Sequence, residues 1–148
     1  MKSQSGFTLV EILIVVVILG ILAAIVIPQF TEASTEAKTS SLCTDLQTMR
    51  SQIELYKIQH NDDLPAAGVD TEADFISDMT AQTDIAGAVG TDYGPYIQQI
   101  PTNQFNNRKT IRLEGAGVNT AGANTHGWVF NTSSGAFLAD DSAAHAGL

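Results

Sequence analysis

The chain has 148 residues, with 16 acidic and seven basic side chains, a formal net charge of −9 and a single cysteine. Such an acidic chain is not expected to take a nucleic-acid partner, because phosphate contacts need clustered Lys and Arg, and one cysteine excludes an intrachain disulfide. An apolar N-terminal segment takes about 30 residues, leaving roughly 115 for one small water-facing domain with a single modest core.

The N-terminal segment, Phe7 to Ile27, reads FTLVEILIVVVILGILAAIVI and contains one charge, Glu11, and one hydroxyl, Thr8. As a helix rising about 1.5 Å per residue it reaches about 31 Å, the hydrocarbon thickness of a bilayer. In lipid, a helix is the single-chain solution that satisfies every backbone group internally. The segment is therefore expected to span a membrane at some stage. In the six residues before it, Lys2 is the one basic residue, and Gly6 stands before the apolar run rather than after it. A secretory signal has the opposite order, so a cut at Gly6 would leave the apolar segment as the new N-terminus. A carboxylate in such a helix costs about 2.5–3.5 kcal/mol on insertion scales, which marks Glu11 as functional. The alternative is a Glu11 near the headgroups, one turn from Phe7.

The order Gly6-Phe7-Thr8-Leu9-Val10-Glu11, then Gly20-Ile21-Leu22-Ala23-Ala24-Ile25 and Pro28, resembles the class III leader and N-terminal helix of type IV pilins and pseudopilins. The resemblance implies removal of residues 1–6 after Gly6 by a prepilin peptidase in the inner membrane, and methylation of the Phe7 amine. It also implies that Glu11 pairs with the Phe7 amine of a neighbouring subunit during assembly. A buried carboxylate is tolerated when an ammonium and hydrogen bonds meet it, and losing one partner leaves a costly unpaired charge. Implied partners are further copies of the chain, the peptidase, the inner-membrane assembly machinery and the membrane itself.

Pro28 removes a backbone donor and clashes with the carbonyl of Ala24, so a kink, a local unwinding or a simple bend is expected there. Gly20 and Pro28 bracket a stretch that can melt or extend, and the resemblance implies loosening of this region in filaments. From residue 31 to about His60 the pattern becomes amphipathic. Leu42, Leu46, Met49, Ile53 and Tyr56 step by fours and threes and draw one apolar stripe, and Arg50 and Glu54 are spaced to support each other. One helix from about Thr8 to His60 is predicted, ended by Asn61-Asp62-Asp63-Leu64-Pro65. Cys43 reads as a small residue on this helix. The chain thus divides into a leader (1–6), a transmembrane and polymerisation helix (7–30) and a globular head (31–148).

A second helix is expected after Asp70 or Thr71 as cap, with Glu72 and Asp74 in its first turn and Phe75, Ile76 and Met79 as its apolar edge. Residues 83–92 read as a loop with nothing to bury, and 93–101 as an irregular segment over the core. In the last third, 110–114 reads as a strand and 115–127 as a small-residue loop. Residues 127–131 and 136–139 form a hairpin, with Trp128 and Phe130 facing the helix stripe. The tail from Asp140 is expected to fray. The fold predicted is α+β, a long N-terminal helix packed on a small C-terminal antiparallel sheet, the pilin fold.

The segments GPYIQQIP (94–101) and GWVFNTSSGAFLADDS (127–142) are similar to the C-terminal parts of proteins grouped with the major pseudopilin of type II secretion. That group binds calcium in a C-terminal loop, and Asp140 and Asp141 are the paired carboxylates near the end. Calcium takes six to eight oxygens, which two adjacent Asp seldom supply alone, so neither a metal nor a cofactor is predicted. His60, His126 and His145 are isolated from one another, and nothing forms a triad or a phosphate loop. The chain is not expected to be an enzyme. The function expected is a structural subunit that polymerises into a type IV pilus-like filament. The alternatives are the major pseudopilin of a type II secretion pseudopilus, and a single-pass membrane protein that does not polymerise. Location follows as the inner membrane before assembly, then a surface filament or a periplasmic pseudopilus.

Overall fold

The computed structural model describes residues 6–68, 71–118 and 120–148. The leader residues before Gly6, and Asp70 as a candidate cap, lie outside them. The chain forms two compact units, Met1–Ala37 and Lys38–Leu148. Helix α1 (Leu9–Gln59) contributes to both.

Within the first unit the helical backbone runs through Gly20 and Pro28 without a break. The unwinding considered at Pro28 does not occur in this structure. The pyrrolidine ring fixes φ at a helix-compatible value, so the loss is one hydrogen bond rather than the helix. Beyond it the Thr31 hydroxyl donates to the carbonyl of Ile27 at 3.1 Å, and that of Thr35 to Thr31 at 3.0 Å. Every described residue of this unit is exposed, including Leu13, Val17, Ile21 and Ile25. Soluble monomers rarely show a contiguous apolar surface beyond a few hundred Å², so this helix needs lipid or other protein around it.

The second unit builds its core on the stripe that the spacing predicts. Leu42, Leu46, Met49, Ile53 and Tyr56 are all buried. They share one cluster with Phe75, Met79, Ile100, Ile111, Trp128, Phe130, Phe137 and Ala139. Helix α2 (Glu72–Thr80) is capped by Thr71, whose hydroxyl accepts from the Asp74 amide at 3.2 Å, and it buries Phe75 and Met79. Strands β1 (Ile111–Glu114), β2 (Trp128–Asn131) and β3 (Phe137–Ala139) lie in that order in one sheet.

The α+β layout stands, but the sheet is mixed rather than antiparallel. β2 and β3 form the expected antiparallel hairpin, Trp128 opposite Ala139, whereas β1 and β2 run parallel with Ile111 opposite Trp128. The connection 115–127 is long enough for the crossover that parallel pairing requires. As the central strand, β2 is buried on both faces, Val129 as well as Trp128 and Phe130.

Three further expectations are corrected. Residues 83–92 do bury something: Thr83 is 2% exposed, and its hydroxyl meets Nε2 of the fully buried His60 at 2.9 Å. Arg50 reaches the end of the chain instead of Glu54, donating from Nε to the Phe137 carbonyl at 3.0 Å and from Nη2 to that of Leu148 at 2.7 Å. The tail is held, because Asp140 is fully buried and His145 closes on Asp141, Nδ1 to Oδ2 at 2.5 Å, and packs tilted against Phe105 with ring centres 4.2 Å apart.

Candidate assembly site

The residues expected from the sequence to take part in processing and assembly meet at the start of α1. Gly6, Phe7, Thr8 and Glu11 line one open cleft. Thr8 precedes the first helical residue, and its hydroxyl accepts from the Glu11 amide at 3.2 Å. The Glu11 carboxylate reaches back and accepts from the Thr8 amide at 2.8 Å and the Thr8 hydroxyl at 2.7 Å. This is a reciprocal capping box, which satisfies two of the donors that a helix N-terminus leaves without partners. It also holds a negative charge at the positive end of the helix dipole. The spacing Thr-x-x-Glu before an apolar run is its sequence signature, so the role of Thr8 was legible in Thr8-Leu9-Val10-Glu11. It is hidden when the segment is weighed by hydropathy alone.

Phe7 is exposed beside this cap. Its nitrogen is a peptide nitrogen as long as Gly6 is attached, so an ammonium exists there only after cleavage. Gly20 is exposed within the helix, and a Cβ added there would meet nothing within 4 Å. Gly20 and Ala24 are one turn apart, the small-xxx-small spacing that lets helix backbones approach closely in membranes. By length and apolarity α1 is a helix that can cross a membrane.

Several polar residues of the head are held within its own structure. His60 stacks on Tyr56 at 3.8 Å, and its Nδ1 faces the Tyr56 carbonyl at 2.8 Å, which requires that nitrogen to carry the proton. Cys43 is half-buried and free. Asp140 Oδ1 accepts from Arg112 Nη2 at 2.8 Å and from the Ala123 amide at 3.0 Å. Its Oδ2 accepts from the Thr125 amide and hydroxyl, both at 3.0 Å, and from the His126 amide at 2.8 Å. Burial alone would raise its pKa, but the His126 amide, the Thr125 hydroxyl, the Arg112 charge and the Ala123 amide outweigh burial and hold it below the usual value. Asp141 turns elsewhere, accepting at Oδ1 from Asn103 Nδ2 at 2.9 Å. A calcium ion needs oxygens where Asp140 meets N–H groups and a guanidinium. The residues present do not fit one.

The prokaryotic N-terminal methylation motif matches residues 1–27. The type II secretion system core protein G of Pseudomonas aeruginosa is 44% identical over 59 residues, 40% of this chain and 42% of that protein. The core protein G of Klebsiella pneumoniae is 30% identical over 105 residues, 71% of each chain. A fimbrial protein of Pseudomonas aeruginosa is 41% identical over 54 residues, 36% of this chain and 35% of that protein. The chain thus spans about two fifths of the length of the first of these relatives and over two thirds of the second. No solved structure matches it.

Proposed function

The chain belongs to the type II secretion core protein G family, and from that premise we propose that this pilin-like filament subunit builds the periplasmic pseudopilus of a type II secretion system. The observation that carries the choice is the reach of the Klebsiella pneumoniae similarity. At 105 residues it extends well past the 51-residue helix into the head, whereas the fimbrial similarity is no longer than 54 residues. The fimbrial protein keeps a second destination, a surface pilus, as the competing outcome of the test.

In this scheme the chain enters the inner membrane by residues 7–27, a prepilin peptidase cuts after Gly6, and the Phe7 amine is methylated. Until then Thr8 holds the Glu11 carboxylate within its own chain. Cleavage creates the ammonium one residue upstream of that cap, and Glu11 of an incoming subunit exchanges its local donors for the Phe7 amine of its neighbour. The exposed Ile, Val and Leu side chains then leave lipid for a bundle of like helices, with Gly20 and Ala24 at the closest approaches. Loosening between Gly20 and Pro28 would let each helix adjust within the bundle. The head plays a structural part and no catalytic one.

Mass spectrometry of the N-terminal peptide, in sheared and in envelope fractions of cells carrying the protein, tests the scheme. A methylated Phe7 terminus confined to the envelope is expected. The same terminus abundant in sheared fibres would make the product a surface pilus, and an intact Met1 terminus would return it to a membrane anchor that does not polymerise.

A further inference from the structure

The β1–β2 crossover must be pinned, because it is made of small residues and a parallel pair has no tight turn to fix it. The residues that pin it form one ionic cluster outside the assembly site. Arg112, in the middle of β1, sends Nη2 to Asp140 Oδ1 at 2.8 Å and to the Thr120 carbonyl at 2.9 Å. Its Nη1 meets the Thr120 hydroxyl at 2.5 Å and Glu114 Oε1 at 3.3 Å. Glu114 in turn accepts from the Thr120 amide at 3.1 Å and from the Thr120 hydroxyl. Asp140 fastens the far half of the crossover through the amides of Ala123, Thr125 and His126, and its carbonyl accepts from the Asn124 amide at 2.5 Å. Both carboxylates are buried, Asp140 at 0% and Glu114 at 7% exposed.

Two buried carboxylates beside a loop need a cation, and the one in place is the guanidinium. We propose that Arg112 is the resident cation of this head, locking the crossover to Asp140 and Glu114, so that the head closes without calcium. The fork matters as much as the charge, since two terminal nitrogens reach four acceptors in a fixed plane and an ammonium cannot do so. Arg112 Nε is buried and has no partner among the described residues, so the hold seen there passes through Nη1 and Nη2. For calcium to enter, Arg112 would have to leave and three backbone N–H groups would have to turn away from Asp140. This inference concerns the head and is independent of whether the filament is a pseudopilus or a pilus.

The test uses the full chain in detergent micelles. Thermal unfolding is followed by the fluorescence of Trp128, the one tryptophan, in millimolar calcium and in EGTA. Amide exchange over 120–126 is measured under the same two conditions. The wild type is expected to unfold at the same midpoint, with the same exchange, in both. Arg112→Gln is expected to lower the midpoint by about 5–10 °C and speed exchange over 120–126, with calcium restoring neither. Should Arg112→Gln not fold, Arg112→Lys is expected to fold with a midpoint below the wild type, because it keeps the charge and loses the fork. A wild-type midpoint that rises with calcium, exchange that quickens in EGTA, or Arg112→Gln and Arg112→Lys both indistinguishable from the wild type would each overturn the proposal.

Discussion

In the unit 1–37 every described residue is exposed, aliphatic side chains included, whereas the unit 38–148 encloses four large aromatic rings at 0% exposure. The contrast extends to carboxylates. Glu11 finds its donors three residues away, within one turn of its own helix. Asp140 draws its donors from residues 14 to 28 positions distant, on a strand and a loop. One region is satisfied locally and keeps its apolar surface for something else; the other is satisfied by its own tertiary structure. Changes in the first should therefore register in assembly with little effect on folding, and changes in the second the reverse.

The largest effect separates the two regions outright. Glu11→Ala is expected to insert in the membrane normally, to leave the unfolding midpoint of the head unchanged, and to abolish filament assembly, as seen by electron microscopy and shearing. Normal filaments from this variant would end the proposed pairing with Phe7. Replacing Gly6 with a bulkier residue should stop one step earlier, leaving an uncut precursor on a gel. In the head, Leu46→Ala removes a fully packed side chain at 1% exposure and should cost about 2–5 kcal/mol. Calorimetry would measure that loss, and an unchanged midpoint would mean that the helix stripe does not carry the core.

Acid distinguishes the regions more finely. The pKa of Asp140 is lowered in the folded head, so the unfolded chain binds its proton first as pH falls. The stability it contributes is then fully present above the unfolded value near 3.9 and is lost as pH falls through the lower, folded value. Unfolding of the head should steepen below about pH 4, and Asp140→Asn should be weaker at neutral pH and less sensitive to acid. Smaller still, Thr71→Ala removes the cap of α2 and should cost about 1 kcal/mol.

How much of this was legible in the sequence follows the range of the interactions. The stripe Leu42–Tyr56, the cap at Thr71 and the hairpin around 132–135 each depend on residues within a few positions, and their spacing announces them. The order Gly6, Phe7, Glu11 was legible in the same way, and Thr8 could have been. The direction of β1 was not, because four residues, Ile111–Glu114, are too few for an alternating and a continuous apolar pattern to be told apart. Nor was the hold on the tail, since Arg112, Asp140 and Asp141 reveal no partner until the crossover and the sheet bring them together. His60 appeared isolated for the same reason, its partner Thr83 lying 23 residues on.

Asp78 gives the smallest effect and the sharpest sign. Its carboxylate accepts from the Ala66 amide at 2.7 Å, yet burial pushes its pKa up, against the lowering by that amide. The folded head therefore holds this proton more tightly than the unfolded chain does. The resulting contribution is present below the unfolded value near 3.9 and is lost as pH rises through the folded one. Asp140 and Asp78 thus bend the stability curve in opposite directions, one from each side of a mildly acid optimum. Asp78→Asn keeps an oxygen for the Ala66 amide and removes the charge, so it should raise neutral-pH stability slightly, by about 1 kcal/mol or less, and flatten the loss above pH 4. Denaturant unfolding of the full chain across pH 4 to 8 would measure it. A variant weaker than the wild type at pH 7 would show that the ionised carboxylate is stabilising, and that the Ala66 amide outweighs burial.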